Sequence, residues 1–395
     1  MSAVGSPNRL SAMRFVVAFG VVSLLADFVY EGARSIVGPF LATFGASAGL
    51  VGFITGAGEA VALVSRRWTG ALSDRTGRHW TLSMLGYAIT VISVPLLATA
   101  WTLWPAAVLV VAERFGKAVR TPARDTMLAQ ASSDLGRGRT FALHEALDQS
   151  GALIGPLVVA GAVAVSGLRL GFAVLALPGA VALFALIWLR RAVPAPSAYE
   201  SIRAPHAADG GDRRLPRRFW WYAGFTALNM AGYATFAVLA YHLKQRHVVS
   251  EATIPVIYAL AMGTAAIAAL GSGWLYDRVG LRGLAIVPLL TAAVPFLSFS
   301  TQPALVCVGA AVWGTAVGVH ESTMRAAVAD LVPAARRGAG YGTFTAIYGL
   351  AWLVGSTAIG VLYARSTGAA TTFVVALQIV ALIVFIPVGR GAVRG

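Results

Sequence analysis

Three charged residues stand within the first long apolar stretch of the sequence. Asp27, Glu31 and Arg34 are four and three residues apart, which places them on one face of a helix. A charged side chain at the centre of a membrane helix costs on the order of 2.5–3.5 kcal/mol and usually faces a cavity. Two carboxyl groups beside one arginine could load and release a proton as solvent access changes. The alternative is a fixed structural salt bridge near the end of the helix.

The second apolar stretch contributes one further acid. Glu59 is surrounded by small residues in the segment Gly56-Ala-Gly58-Glu59-Ala60. It is a second candidate for proton binding, and a purely structural role is an equal alternative at this stage.

A stripe of charge follows the fourth apolar stretch. Glu113, Lys117, Arg120 and Arg124 recur at intervals that keep them on one helix face, and Arg114 lies beside them. The stripe could form a gate, a proton relay through Arg114, or an attractive surface for an anionic substrate. Alternatively, Arg120 and Arg124 only anchor the end of the helix.

Polar residues in the second half of the chain add candidates for a central cavity. The tenth apolar stretch contains His320, Glu321 and Arg325. Histidine titrates near neutral pH and could carry a proton, although a lone histidine near a helix end is more often structural. In the seventh stretch, Asn229 and Tyr233 could line the cavity.

The elements that must position these side chains are membrane helices. The chain has 395 residues, of which 57% are hydrophobic and 12% are charged, about half the charged share of a soluble domain. A bilayer core of roughly 30 Å needs about 20 mostly apolar residues per helix. This requirement predicts twelve spans, at 14–40, 49–67, 80–99, 103–124, 140–165, 168–190, 219–243, 254–275, 284–300, 304–328, 341–363 and 370–388.

The excess of positive charge indicates the orientation of these spans. The chain has 31 Lys+Arg against 16 Asp+Glu, a net charge of +15. With a cytoplasmic N-terminus, roughly three quarters of the Lys and Arg residues fall on the cytoplasmic side, as the positive-inside rule requires. We therefore expect both termini in the cytoplasm, a bacterial inner membrane as the host, and no nucleic-acid partner.

The chain divides into two similar halves. A Pro-, Ala-, Gly- and Arg-rich linker at 191–218 separates an N-terminal six-helix bundle, 1–190, from a C-terminal one, 219–395. A short glycine-containing loop follows the second span and recurs after the eighth, with Gly70, Asp74, Arg75, Gly77 and Arg78 in the first copy and Asp277 and Arg278 in the second. Gly77 permits a tight turn with positive φ, and Asp74 can face a helix N-terminus.

Over its whole length the chain resembles the major facilitator superfamily. The loop Gly70–Arg78 matches the superfamily signature between helices two and three. The fifth span carries the first part of the antiporter motif, namely Gly151, Gly155 and Pro156. Val159 and Ala160 replace its closing glycines. The resemblance implies an all-α membrane protein of twelve helices in two pseudo-symmetric six-helix bundles, with the loop latching the halves on the cytoplasmic side.

The resulting hypothesis is secondary active transport by alternating access. In its first form, an apolar or amphipathic compound is exported in exchange for protons carried by Asp27 and Glu31, with Arg114 coupling the two processes. In its second form, a small and possibly anionic solute is taken up or exchanged and is held by Arg114, Lys117 and Arg325.

A sensor or a membrane enzyme on the same scaffold is the alternative of another class. The sequence has no P-loop, no G-x-S-x-G elbow and no H-E-x-x-H, so we expect no enzymatic activity. With Cys307 as the single cysteine, no cysteine-based zinc site is expected, and no cofactor is predicted. The expected partners are a small-molecule substrate, H⁺ and the lipid bilayer, and the protein is predicted to be a monomer.

Overall fold

The computed structural model describes residues 8–132, 135, 137–199, 215–333 and 336–390, with side chains at all of these except 137–139, 324, 325, 389 and 390. Throughout these residues the ordered structure is helical, without a β-strand. The α-helices are α1 (Ala12–Thr43), α2 (Ala48–Val64), α3 (Arg66–Thr76), α4 (His79–Leu96), α5 (Leu103–Ala131), α6 (Arg137–Ala173), α7 (Ala176–Ala192), α8 (Arg217–Ala231), α9 (Phe236–Gln245), α10 (Thr253–Val279), α11 (Ile286–Ser298), α12 (Pro303–Leu331), α13 (Arg337–Arg365) and α14 (Thr367–Arg390).

The lengths of the helical segments agree with the predicted spans. Among the described residues, nine segments are long and apolar enough to cross a membrane. Two of them, Thr140–Ala192 with 53 residues and Thr253–Ser298 with 46, each cover two predicted spans. α5 has 29 residues and corresponds to the fourth span, but its charged stripe keeps it outside the nine. The all-α fold is therefore confirmed.

Two breaks interrupt these segments. Ser166 and Gly167 have non-helical backbone angles, with φ of −150° and 74°, and they separate the predicted fifth and sixth spans. The predicted span at 219–243 corresponds to the apolar segment Arg217–Gln245, but its helix is interrupted, because α8 ends at Ala231 and α9 begins only at Phe236. The break is stabilised by side chains: Ser356 Oγ accepts a hydrogen bond from the Thr235 backbone N–H at 2.9 Å.

The two copies of the repeated loop each end at a glycine with positive φ. Gly77 terminates α3 with φ of 61°, and Gly280 terminates α10 with φ of 60°. The expected positive φ at Gly77 is confirmed, but the two turns differ in ψ, which is 8° at Gly77 and −147° at Gly280. The first copy is more ordered than a loop, since Gly70 and Asp74 lie within α3.

By its contacts the chain forms two compact units. The first unit comprises 1–33, 65–99 and 112–206, and the second comprises 34–64, 100–111 and 207–395. The first has a core that includes Phe15, Phe19 and Trp80, and the core of the second includes Tyr222, Phe225 and Phe344. The six-plus-six division at 191–218 stays a prediction, and 200–214 of that linker lie outside the described residues.

Candidate functional site

A close, parallel contact between α1 and α6 organises the first unit. A Cβ atom added at Gly151 would lie 2.2 Å from the Leu24 carbonyl oxygen, and one at Gly155 would lie 2.3 Å from the Phe28 carbonyl oxygen. Both numbers rise together along the chain, so the helices run in the same direction with backbones touching. Only glycine allows this approach without displacing the partner helix.

Asp27 lies on this packed part of α1 and forms an ion pair with Arg120 of α5. Asp27 Oδ1 and Arg120 Nη2 are 3.2 Å apart, and the Arg120 side chain is 1% exposed. The guanidinium carbon lies 4.5 Å from the ring centroid of Tyr87. Arg120 Nε and Nη1 are buried without a hydrogen-bond partner among the described residues. Arg120 is thus the ion-pair partner of Asp27. The sequence had suggested either that Arg120 belongs to the charged stripe or that it anchors the helix end.

Tyr30 lies one turn beyond Asp27 and is surrounded by cations. Lys117 Nζ donates a hydrogen bond to the Tyr30 hydroxyl and lies 3.9 Å from the ring centroid. The guanidinium carbon of Arg114 is 4.9 Å from the same centroid. Arg114 is also paired with its neighbour Glu113, with Nε and Oε2 3.2 Å apart. The stripe predicted on α5 therefore meets α1 at a tyrosine that the sequence did not single out.

The cluster continues from Arg124 of α5 to α6. Arg124 binds Asp125 Oδ1 at 3.0 Å and Asp148 Oδ2 at 3.4 Å. His144 Nε2 also lies 3.4 Å from Asp148 Oδ2. We call a set of side chains from α1, α5 and α6 the charge cluster. Its members are Asp27, Tyr30, Arg114, Lys117, Arg120, Arg124, Asp125, His144 and Asp148. Asp148 and His144 were not among the predicted site residues; their spacing from the glycines of α6 was the available signal.

The other two charges predicted to act with Asp27 have different surroundings. Glu31 is buried and interacts electrostatically with both Asp27 and Lys117. Arg34, expected to share a face with these acids, instead forms an ion pair with Glu59, at 2.8 Å between Nη2 and Oε1. Its guanidinium carbon lies 5.7 Å from the centroid of Trp352, within the second unit. The two candidate acids Glu59 and Asp27 thus have separate cationic partners.

The second unit contains a group of uncharged polar side chains, which we call the amide cluster. Asn229 of α8 donates through Nδ2 to Gln378 Oε1 at 2.6 Å. Its Oδ1 lies 2.6 Å from His320 Nε2, and Gln378 Nε2 donates to the Asn229 carbonyl oxygen at 3.2 Å. Since Asn229 uses its N–H group on Gln378, its oxygen is an acceptor and His320 Nε2 carries the proton. All three side chains are buried.

Aromatic residues extend the amide cluster. The Tyr233 hydroxyl donates to the Trp313 carbonyl oxygen at 2.6 Å, and the two rings stack with centroids 5.3 Å apart. Tyr348 and Trp352 follow, with centroids 5.8 Å apart. Asn229 and Tyr233, predicted to line a cavity, are nearly fully buried and bonded within the unit. Glu321 is exposed, and the side chain of Arg325 lies outside the described residues.

The repeated loop lies at the surface. Asp74, Arg75, Arg78 and Asp277 are exposed. Asp74 interacts electrostatically with His79, the first residue of α4, as expected for an acid near a helix N-terminus. Arg278 lies against Trp274, 3.6 Å from the ring centroid. Within the described part of the chain, no group of three His, Cys, Asp or Glu residues could hold a metal ion.

Comparison with known proteins identifies the family. The model of the Major Facilitator Superfamily matches residues 19–287 and 223–393. The chain belongs to the major facilitator superfamily. It is therefore a multi-pass membrane protein of a transporter family.

Two relatives and one solved structure illustrate this membership. An uncharacterized protein of Mycobacterium tuberculosis is 49% identical over 388 residues, which are 97% of this chain and 95% of the relative. An uncharacterized MFS-type transporter of Methanocaldococcus jannaschii is 24% identical over 371 residues, 90% of each chain. The fold is similar to that of the peptide transporter POT in complex with sulfate, with TM-score 0.77, 15% identity, and coverage of 96% of this chain and 94% of that one.

The α1–α6 contact accounts for the departure from the superfamily's antiporter motif. Val159 stands where the motif has its first closing glycine, and a Cβ atom added at Gly32 of α1 would lie 3.2 Å from Val159 Cγ2. The small residue at this level is thus supplied by α1 instead of α6. The close packing that Gly151 and Gly155 begin therefore continues along α6 past Pro156 without the missing glycine.

Proposed function

We propose that this superfamily member is a proton-coupled secondary transporter that exports an apolar or amphipathic small molecule by alternating access. The observation that carries the proposal is the buried ion pair between Asp27 and Arg120, 3.2 Å apart. A buried pair of this kind contributes little net stability compared with apolar packing, because both charges lose their hydration. Its retention in a span is explained if Asp27 must change its charge during transport.

The proposed role of Asp27 follows from the geometry of Arg120. When Asp27 binds a proton, its attraction for the guanidinium falls, and the contact between α1 and α5 weakens. Arg120 then remains beside Tyr87 and in the electrostatic field of Asp148. Loss of the proton restores the ion pair. Arg120 takes the coupling role that the sequence suggested for Arg114, which is paired with Glu113.

Export as the direction is supported by the glycine contact of α6 with α1, because it corresponds to the motif of superfamily antiporters. We further propose that the protein lies as a monomer in a bacterial inner membrane, with both termini cytoplasmic and two six-helix halves joined at 191–218. The basic residues of the predicted cytoplasmic segments support this orientation.

The proposed function is tested with Asp27→Asn in proteoliposomes that carry an imposed pH gradient. The probes are ethidium and Nile red, and proton movement is followed with an entrapped pH dye. Wild-type protein should move probe and protons in opposite directions, whereas Asp27→Asn should lose gradient-driven probe transport and keep probe binding. Asp330→Asn is the matched control, because this exposed acid bonds only the Tyr276 hydroxyl among the contacts described. Full gradient-driven transport by Asp27→Asn would reject the assignment.

A second candidate function is uptake or exchange of a small anion, and the surroundings of Lys117 favour it. Lys117 bonds the Tyr30 hydroxyl and lies with Arg114 against the same ring, so two cations meet where a carboxylate or phosphate could bind. Lys117→Met should then weaken binding of such an anion far more than it reduces proton flux. Equal losses of both would favour the first candidate.

A further inference from the structure

We propose that Asp148 and His144 of α6 form the path by which protons reach and leave Asp27. This inference rests on the proposed function, since it assigns the route of the same proton. Neither residue contacts a substrate in the proposal; both carry the proton between Asp27 and the end of the bundle where α5 and α6 meet.

The parallel contact of α1 and α6 places the three groups at successive levels along the helix axes. Leu147, Gly151 and Gly155 of α6 meet Gly20, Leu24 and Phe28 of α1 in a constant register. In that register, Asp148 lies at the level of residue 21 of α1, six residues before Asp27, or about 9 Å along the helix axis. His144 lies one turn further, near the beginning of α1. Asp27, Asp148 and His144 therefore lie in this order towards the N-terminal ends of both helices.

Arginines of α5 connect Asp27 with Asp148. Arg120 pairs with Asp27 at 3.2 Å, and Arg124, one turn further along α5, contacts Asp148 at 3.4 Å. Arg120 also interacts electrostatically with Asp148. Protonation of either acid therefore changes the electrostatic interaction with the same two guanidinium groups. The charge states of the two acids are thus linked.

Hydrogen-bonding capacity is left open along this path. Asp148 Oδ1, His144 Nδ1 and His144 Nε2 are buried, and none has a hydrogen-bond partner among the described residues. His144 and Asp148 are only 3% and 8% exposed. Most buried polar atoms in proteins are satisfied, and leaving one unsatisfied costs about 1–3 kcal/mol. Together with Arg120 Nη1 these are four buried polar atoms, and water that satisfied them could conduct protons.

The groups that face Asp148 come from three helices. They are Asp27 of α1, Arg120 and Arg124 of α5, and Glu145 of α6, and His144 contacts its carboxylate. His144 in turn faces Arg124 and Arg120. Both arginines stay charged throughout, so the proton must pass between Asp27, Asp148 and His144 through water and not through a guanidinium.

Each transfer of the proton along this path breaks one bond to hydrogen and forms another. The O–H bond of protonated Asp27 breaks, intervening water transfers the proton, and a new O–H bond forms at Asp148 Oδ1. Asp27 becomes a carboxylate again and attracts Arg120. The proton then passes to the His144 imidazole and from there to bulk water, which restores the Asp148 carboxylate. The reverse sequence loads Asp27.

The test measures the protonation of Asp27 directly and needs no substrate. Purified protein in detergent is taken through a pH jump, and the carbonyl stretch of protonated Asp27 is followed by time-resolved infrared spectroscopy, with Asp27→Asn identifying the band. Asp148→Asn and His144→Gln should slow the appearance of this band by roughly 100-fold, the usual effect of removing one positioned proton-transfer group. The final amplitude should remain in His144→Gln. Asp148→Glu should restore the rate, and added imidazole should partly rescue His144→Gln.

The control is Asp330→Asn, an exposed acid of the second unit that bonds the Tyr276 hydroxyl, and its rate should stay at the wild-type value. Unchanged rates in both Asp148→Asn and His144→Gln would overturn the relay while leaving the role of Asp27 intact. If wild-type protein shows no Asp27 band at all, the proposed function fails as well, so the two failures are distinguishable. Should Asp148→Asn not fold, His144→Gln and its rescue by imidazole decide the question.

Discussion

The charge cluster of the first unit and the three side chains Asn229, His320 and Gln378 of the amide cluster differ in how completely their polar atoms are bonded. At the aromatic edge of the amide cluster, Trp352 Nε1 is a buried donor without a described partner. In the amide cluster, Asn229 uses both ends of its side-chain amide, on Gln378 and on His320. In the charge cluster, Arg120 makes one ion pair while its Nε and Nη1 lack partners among the described residues. Both clusters are buried, so desolvation does not explain the difference.

The difference indicates different roles. A buried network whose donors and acceptors match fixes one packing arrangement, and the amide cluster lies where this is needed, at the break between α8 and α9. Gln378 packs against that break so closely that a Cβ atom at Gly232 would overlap its Nε2. A partly satisfied network costs stability, so the charge cluster is better explained by protonation and movement than by structural support.

The largest expected effect separates these roles through Arg120. Arg120→Met leaves Asp27 buried without its cation, and the free energy of unfolding in detergent should fall by about 3–5 kcal/mol. The double variant Asp27→Leu with Arg120→Met should recover wild-type stability or exceed it, because apolar packing replaces two desolvated charges. It should nevertheless be inactive in proton-coupled transport. A double variant as unstable as Arg120→Met alone would mean that the charge cluster is structural. That result would contradict the difference in role between the two clusters.

The amide cluster should behave in the opposite way. Gln378→Leu leaves the Asn229 Nδ2 donor buried without an acceptor, so the free energy of unfolding should fall by about 1–3 kcal/mol. Replacing Asn229 by Leu as well should not restore it, because the backbone at the break would still lack the Gln378 donor. Gln302→Leu is the matched control, since Gln302 is exposed before α12. Recovery of stability in the double variant would erase the distinction between the clusters.

Much of the fold could be predicted from the sequence, because few backbone structures can span a membrane. Apolar runs of about 20 residues must be helices, and the repeated loop fixed the positive φ at Gly77, which the structure confirms. The break at 232–235 could not be predicted, since it is stabilised by Ser356 and Gln378 from helices more than 100 residues away. The break carries no proline, so the local sequence has no strong signal for it.

The sequence predicted which residues belong to the candidate site better than it predicted which of them form ion pairs with each other. Helix periodicity placed charges of α5 on one face, and in the structure Lys117 and Arg120 of that face contact Tyr30 and Asp27 of α1. It could not assign Arg120 to Asp27 or Arg34 to Glu59, because the choice of partner depends on helix register. That register is set by glycine contacts such as Gly151 on Leu24. Asp148 was not among the predicted site residues for the same reason.

The smallest expected effect concerns Arg34 and Glu59, the ion pair of the second unit, whose side chains are 15% and 10% exposed. A double-mutant cycle with Arg34→Met and Glu59→Gln should give a coupling energy of about 1 kcal/mol, within the range of partly solvated pairs. Glu59→Gln should also retain proton flux in proteoliposomes, because Asp27 carries the proton in the proposed function. Loss of proton flux with normal folding would make Glu59 a second proton carrier. The contrast between the units would then lie in their uncharged residues alone, since each would hold a titrating acid beside its own arginine.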